Sequence, residues 1–209
     1  IKHPKYIIFD FETDTNNGNH KANHIEVDVL KINDTHEYDK CLVEKFGING
    51  YDCCKKFCDW LFTRENEYSS VLAHNGSGYD FKFILKNCVC LGLLPSTLIR
   101  QGSRITYMTF SKFNIRFIDS YLFMSQPLKS LSLTYGVDTI KGNFPHKFNT
   151  VDNQSYVGNI PKAEMYGPEN MSVNDNAEFY KWYKMQLGIS DWNFKDEMIK
   201  YCRSDVEVL

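Results

Sequence analysis

Near the start of the chain, a continuous apolar run (YIIF, residues 6–9) passes directly into two carboxylates, Asp10 and Glu12. β-Branched and aromatic residues dominate this run, which predicts a strand buried in a core. Side chains two positions apart on a strand point to the same face, so both carboxylates are aimed at one spot. Their mutual repulsion offers nothing to folding, and the pattern therefore indicates a cation site at the end of a buried strand.

Apolar runs of strand length alternate along the chain with segments whose apolar residues recur at helical spacing. Further strands are predicted in IEVDVLKI (25–32), KCLVE (40–44), SSVLAHN (69–75) and, as a pair around a polar turn, SRITYMTFSKFNIRFIDS (103–120). Helices are predicted in YDCCKKFCDWLFT (51–63), YDFKFILKNCVCLG (79–92), PLKSLSLTYG (127–136), NDNAEFYKWYKMQLG (174–188) and FKDEMIKYCRSDVEVL (194–209). Residues 138–173 have no clear period and are expected to form a long functional loop. Strands alternating with helices indicate a layered α/β fold.

The composition is that of a globular intracellular protein. A chain of 209 residues suits one domain spanning residues 1–209, with Ile1 and Leu209 expected to be cut ends of a longer protein. There is no apolar run of membrane-spanning length and no signal-peptide pattern. The seven cysteines lack a disulfide framework and are expected to be reduced core residues rather than a zinc site. A net charge of −2 argues weakly against a nucleic-acid-binding protein.

Two later segments carry further acids in structured contexts. Asp80 follows a predicted strand at the start of a helix, and Tyr201 and Asp205 are four apart, hence on one helix face. Taken alone, Asp80 suits a helix N-terminal acid, and the Tyr201–Asp205 pair suits an exposed helix surface. If the three segments converge, their carboxylates form an all-oxygen pocket of the kind that Mg²⁺ or Mn²⁺ prefers. Two such ions, about 3.5–4 Å apart, suit in-line attack on a phosphodiester and bring the positive charge that the chain lacks.

In order, these segments resemble the three sequence motifs of DEDD-family 3′–5′ exonucleases: DFET is like Exo I, HNGSGYD like Exo II and YCRSD like Exo III. The tyrosine four residues before the last aspartate is similar to the Tyr branch of that family. Together, VLAHNGSGYDFKFIL, PLKSLSLTYG, KGNFPHKFN and YCRSDVEVL resemble the exonuclease domain of protein-primed family B DNA polymerases, viral or Polinton/Maverick-like. The resemblance implies an RNase H-like fold, a mixed β-sheet flanked by helices.

The resemblance also implies roles for individual residues. The metal ligands would be Asp10, Glu12, Asp80 and Asp205, holding two Mg²⁺ or Mn²⁺ ions, and Tyr201 would orient the attacking water. Lys141 would stand beside the scissile phosphate, where an ammonium offsets developing charge. The residues expected to hold the frayed primer end are Thr13, His74, Asn75, Tyr79, Phe83 and Ser120. For Phe83, His74 and Ser120, ordinary structural roles in a helix core or at strand ends stay open.

The implied function is proofreading, with nucleoside monophosphates removed from the 3′ end of single-stranded DNA. The implied partners are that strand, a polymerase domain later in the same longer chain, and a terminal priming protein; no membrane partner is expected. A stand-alone exoribonuclease and a catalytically silent domain that binds single strands or a priming protein remain alternatives. Arg100, Arg104 and Arg116 flank the predicted hairpin, where a solvated face is favoured over contacts with DNA.

Overall fold

The computed structural model describes residues 5–15, 18–32, 41–137 and 142–209. They form one seven-stranded sheet in the order β3-β2-β1-β4-β7-β6-β5. Its strands are β1 (Lys5–Asp14), β2 (Lys21–Lys31), β3 (Leu42–Asn49), β4 (Ser69–Ala73), β5 (Thr97–Gln101), β6 (Arg104–Phe110) and β7 (Ile115–Asp119). The central strands β1, β4 and β7 run parallel to one another, whereas β2, β3, β5 and β6 extend the two sides through antiparallel pairs.

Five α-helices lie within the described residues: α1 (Cys53–Leu61), α2 (Asp80–Cys90), α3 (Leu128–Tyr135), α4 (Val173–Gln186) and α5 (Phe194–Val208). Helices α1 and α2 cover one face of the sheet, where aromatic rings fill the core; Phe9 and Phe57 lie 5.1 Å apart. Helix α5 covers the other face and buries Val206 beside Ile8. The central strands are therefore shielded on both faces, as parallel strands require.

The alternation of side chains along β1 decides where its acids point. Ile7, Phe9 and Phe11 join the core under α1 and α2, whereas Ile8 packs beside Val206 of α5. Asp10 and Glu12 share the parity of Ile8 and thus point toward the α5 face. The pairing register of β1 with β2 shifts between Glu12 and Thr13, a bulge of the kind that is over-represented beside active sites.

The segment after α3 is organised by short turns and aromatic packing. Its described part contains single 3₁₀ turns and a two-stranded sheet of β8 (Val157–Gly158) and β9 (Trp192–Asn193). Phe144, Trp192, Phe194 and Met198 form a cluster of their own that joins this segment to α5. The prediction of a loop without periodic structure therefore agrees with the described residues.

Most predicted elements are present, with changed bounds. β3 begins at Leu42 and runs on to Asn49, well beyond the predicted KCLVE stretch, and β5 was not predicted at all. Asn193 caps α5, since its side chain accepts a hydrogen bond from the backbone N–H of Asp196 at 3.3 Å. The cysteines of the described residues are free thiols. None of the described helices has the length and apolarity needed to cross a bilayer.

Candidate active site

The carboxyl ends of the three parallel strands meet at one edge of the sheet. Asp10 and Glu12 lie toward the end of β1, His74 directly follows β4, and Asp119 ends β7. In open α/β sheets this edge is where ligands bind. The sheet topology therefore brings polar residues that are distant in sequence to the same place.

The acids of β1 lie against the last helix. Ligand atoms of Asp10, Glu12 and Cys202 are all within 4.8 Å of one another. The Cys202 thiol donates to the backbone oxygen of Asp10 at 3.2 Å. Burial, reinforced by the nearby carboxylates, raises the pKa of Cys202 well above its ordinary value, so the sulfur remains a protonated thiol. The available ligands are then carboxylates, which fit Mg²⁺ or Mn²⁺ better than a thiolate-seeking metal.

The loop from β4 into α2 places Asp80 beside β1. Asn75 has a positive φ of 60°, which asparagine tolerates better than most residues. Gly76 follows, and a Cβ there would lie 2.7 Å from the Phe81 ring and 2.8 Å from the Ala73 Cβ, so the turn needs glycine. The backbone N–H of Phe11 donates to Asp80 Oδ1 at 3.3 Å. Asp80 is therefore joined to the strand that carries Asp10 and Glu12.

The Asp80 carboxyl has an altered acidity. Burial raises its pKa from 3.8 to about 7, and the charges of Asp119 and Asp205 act in the same direction. A carboxylate in this position is costly to ionise unless a cation compensates its charge. The environment of Asp80 therefore suits a metal ligand, and perturbed carboxyls of this kind cluster at functional sites.

Helix α5 supplies Tyr201 and Asp205. The Tyr201 ring stacks on Phe144 with a centroid distance of 5.0 Å and meets the edge of His146 at 5.4 Å. Asp205 is 4% exposed, and its charge reaches Asp80. The phenol is thus held by two aromatic neighbours from the segment after α3.

An arginine between Tyr201 and Asp205 fixes the helix to the sheet. The guanidinium of Arg203 forms ion pairs with Glu26 and Asp28 of β2. It also donates to the Phe46 backbone oxygen at 3.1 Å. Glu26 pairs in register with Asp10 on β1. The fork of Arg203 therefore ties α5 to the strand that neighbours the two acids of β1.

One cleft gathers nearly all of the residues that the sequence singles out. The predicted residues among its lining are Asp10, Glu12, Thr13, His74, Asn75, Tyr79, Asp80, Phe83, Tyr201 and Asp205. Ser120 is buried behind this surface at 3% exposure. Lys141 lies outside the described residues. The three acidic segments thus converge as expected. Ser120, in contrast, lies behind the cleft surface and is not placed to contact a strand in the cleft directly.

His74 and Ser120 are joined to each other. His74 Nδ1 lies 2.9 Å from Ser120 Oγ, and Nε2 lies 2.9 Å from the backbone oxygen of Gln126. A carbonyl oxygen only accepts, so Nε2 donates, and in the neutral ring Nδ1 accepts from the Ser120 hydroxyl. Ser120 therefore fixes the orientation of the imidazole at the rim of the cleft.

The cleft also contains residues that the sequence did not single out. Tyr121 and His146 line the cleft without having been predicted. Arg104, for which a solvated face was favoured, also lines it; its side chain is 40% exposed and donates to Asn75 Oδ1 at 2.6 Å and to Ser77 Oγ at 3.1 Å. Only its position beside the predicted hairpin gave a signal, because its contacts depend on how the β4–α2 loop folds over β6.

The chain is similar in sequence to DNA polymerases. Residues 62–209 match the family model described as DNA polymerase type B, organellar and viral. A probable DNA polymerase of Neurospora intermedia is 30% identical over 160 residues, covering 71% of this chain and 16% of the relative. A DNA polymerase of Kluyveromyces lactis is 29% identical over 188 residues, covering 82% and 18%. The chain thus spans less than a fifth of the length of these relatives.

The fold is similar to part of a solved polymerase. Phi29 DNA polymerase in an orthorhombic crystal form matches with a TM-score of 0.56 and 11% identity, covering 98% of this chain and 29% of that one. Its complex with primer-template DNA and incoming nucleotide matches with a TM-score of 0.53 and 12% identity, covering 100% and 29%. These likenesses confirm the predicted RNase H-like fold, a mixed sheet flanked by helices.

Proposed function

The chain belongs to the type B DNA polymerases of organelles and viruses, and from that premise we propose that residues 1–209 are their proofreading 3′–5′ exonuclease domain. The proposed reaction hydrolyses the last phosphodiester of a single-stranded DNA 3′ end and releases a nucleoside monophosphate. The observation that carries the proposal is the cleft itself, since four acids and a tyrosine from three distant segments line one surface.

The ligands of the proposed metal site are Asp10, Glu12, Asp80 and Asp205. Two Mg²⁺ or Mn²⁺ ions would supply an activated water and stabilise the leaving 3′ oxygen. The fit rests on the donor set: oxygens dominate, and the nearby Cys202 sulfur is engaged as a protonated donor. The raised pKa of Asp80 provides a second argument, because a cation beside it would relieve the cost of its charge.

The chain's own residues would position the reactants. Tyr201, held between Phe144 and His146, would present its hydroxyl to the attacking water from a fixed direction. Lys141 would offset charge on the scissile phosphate, as the family resemblance implies. Arg104 is the arginine of the cleft, 3.7 Å from Asp119, and its charge would favour an incoming phosphate backbone.

The strand would be held by hydrogen-bonding groups and aromatic surfaces in the same cleft. Thr13, Asn75 and the oriented imidazole of His74 offer contacts for sugar and phosphate, with Ser120 acting through His74. Tyr79 is 56% exposed and offers a stacking face for an unpaired base. Phe83, which is less exposed, offers a second ring. Stacking tolerates every base, so discrimination would come from fraying, because a mismatched end unpairs at lower cost.

The larger assembly is part of the proposal. Because the relatives are several times longer, we infer that a polymerase domain in the same longer chain supplies the primer end. A terminal priming protein would be a further partner, as the resemblance to protein-primed enzymes implies.

The test is the shortening of a 5′-labelled single strand, with the released mononucleotides identified by chromatography. With Mg²⁺ or Mn²⁺ we expect stepwise 3′–5′ shortening, lost in Asp10→Ala and Asp205→Asn. Asp191→Asn, which removes an exposed carboxylate elsewhere, should cleave like the unmodified chain. Tight binding of the strand without release, with either metal, would favour the catalytically silent domain. Faster release from a matched RNA strand would favour the exoribonuclease.

A further inference from the structure

A second groove adjoins the cleft on the side of α1 and α2. Its lining residues are His20, Lys21, Ala22, Tyr51, Cys54, Lys55, Phe83, Lys86, Asn87 and Cys90. No aspartate or glutamate lines it among the described residues. In a chain with a net charge of −2, a groove edged by three lysines is a local excess of positive charge.

The groove and the cleft are neighbours that share one lining residue. Phe83 lines both, and its ring meets Phe11 at a centroid distance of 5.8 Å. His20 of the groove lies 6.3 Å, ring to ring, from Tyr79 of the cleft. The two surfaces therefore share one aromatic rim.

Helix α2 provides the direction of the path. Phe83, Lys86 and Cys90 recur at helical spacing on one stripe, and each lines the groove. At about 1.5 Å per residue, this stripe extends roughly 10 Å beyond Phe83. A chain molecule that enters the groove from the cleft would therefore pass the ammonium of Lys86.

Two of the three groove lysines, Lys21 and Lys86, are placed to meet an anion. Lys55 is paired with Asp59, but no salt bridge joins Lys21 or Lys86 to a carboxylate in the described ranges. Lys82 lies one turn before Lys86 on α2, and like charges at this spacing repel each other. A bound polyanion would relieve that repulsion.

We propose that this groove binds the phosphodiester backbone of the single strand upstream of the 3′ terminus being hydrolysed. The proposal deepens the proposed function and rests on it. Lys21 and Lys86 each neutralise a phosphate, while Tyr51, which is 41% exposed, offers a ring to an unpaired base. The groove thus makes binding depend on strand length beyond the nucleotides that the cleft holds.

The test is metal-free binding in EDTA, where no hydrolysis occurs and a nuclease activity is not required. Anisotropy of labelled oligothymidylates, short and long, is followed against NaCl for the unmodified chain and for K21Q/K86Q. The double substitution should lower the salt slope of long-strand binding by about 1.4, two phosphates at roughly 0.7 each. The ratio of the long-strand Kd of K21Q/K86Q to that of the unmodified chain should then fall about tenfold between about 50 and 300 mM NaCl.

The matched control is K181Q/K184Q, which removes two exposed lysines from α4. It should leave the slope unchanged, and K21Q/K86Q should bind a dinucleotide as the unmodified chain does. In Mg²⁺, the KM of K21Q/K86Q should rise for long strands only. If the salt slope and the long-strand KM of K21Q/K86Q both equal those of the unmodified chain, the proposal that the groove binds the strand is wrong. The same result is expected if these lysines contact another protein segment instead. If neither the unmodified chain nor any variant hydrolyses the strand but the slope difference remains, the proposed nuclease function is refuted and the proposed strand binding by the groove stands.

Discussion

The substitution Asp80→Asn separates the electrostatic cost of the acidic cleft from its chemistry. In the metal-free native state the Asp80 carboxyl has a pKa of about 7, against 3.8 in the unfolded chain. The native state therefore keeps a proton that the unfolded state loses between these values, so stability falls as pH rises from about 4 to 7. Asparagine carries no such penalty, and its side-chain oxygen can still accept from the Phe11 N–H.

The size of the effect follows from the shift. At about 1.36 kcal/mol per pH unit, the gap amounts to about 4 kcal/mol above pH 7 and close to zero near pH 4. Urea unfolding in EDTA across this pH range should show a growing advantage of Asp80→Asn that levels off above pH 7. For a chain of this size, each kcal/mol moves Tm by about 2–4 °C.

Two controls test whether the buried Asp80 carboxyl causes this pH dependence. Asp191→Asn removes an exposed carboxylate and should show no such pH-dependent advantage. Added Mg²⁺ should stabilise the unmodified chain and reduce its stability deficit relative to Asp80→Asn, because the proposed ion would bind the native carboxylates. An advantage of Asp80→Asn that is equal at pH 5 and pH 8, or a loss of stability at pH 8, would show that burial does not strain this carboxyl.

Three further substitutions test other parts of the structure. Arg203→Met leaves Glu26 with an uncompensated buried charge and should destabilise the chain by about 3–5 kcal/mol in urea unfolding, partly recovered by adding Glu26→Gln. Gly76→Ala should cost about 1–3 kcal/mol because its Cβ meets Phe81, whereas Gly142→Ala, with nothing within 4 Å, should be nearly neutral. Tyr201→Phe should lower kcat by about 10²-fold without changing the Kd for a single strand, measured by single-turnover cleavage and anisotropy. Full stability of Arg203→Met would contradict the buried ion pair. Equal unfolding midpoints for the two alanine variants would contradict the close packing at Gly76, and an unchanged kcat for Tyr201→Phe would contradict the proposed role of its hydroxyl.

The sequence predicts the parts of the fold whose local pattern and tertiary role agree. The pattern of β1 predicts a buried strand because both of its faces are covered, and α3 is followed by Gly136, whose φ of 65° is in the left-handed region that glycine favours. The convergence of Asp10, Asp80 and Asp205 was expected from the order of the motifs. The topology supplies the reason, since β1 and β4 are parallel to each other and their carboxyl ends meet at one edge of the sheet.

Other parts depend on contacts that no local pattern encodes. β5 is exposed at every residue, so it lacks the alternation that marks a half-buried strand. Arg104 acquires its place through Asn75 and Ser77, residues that are nearly thirty positions away. The clamp of Arg203 on β2 is also invisible in sequence, where Glu26 and Asp28 read as the polar positions of an ordinary strand.

The distance in sequence between the two halves of the acidic cleft bears on when the site comes into existence. Asp10 meets Cys202 across 192 positions, and Asp205 belongs to the last helix described. Because synthesis proceeds from the amino end, all strands of the seven-stranded sheet leave the ribosome well before α5 does. Nascent and prematurely ended chains would thus lack the assembled cleft, and the exonuclease activity proposed for it would arise only after the final helix docks.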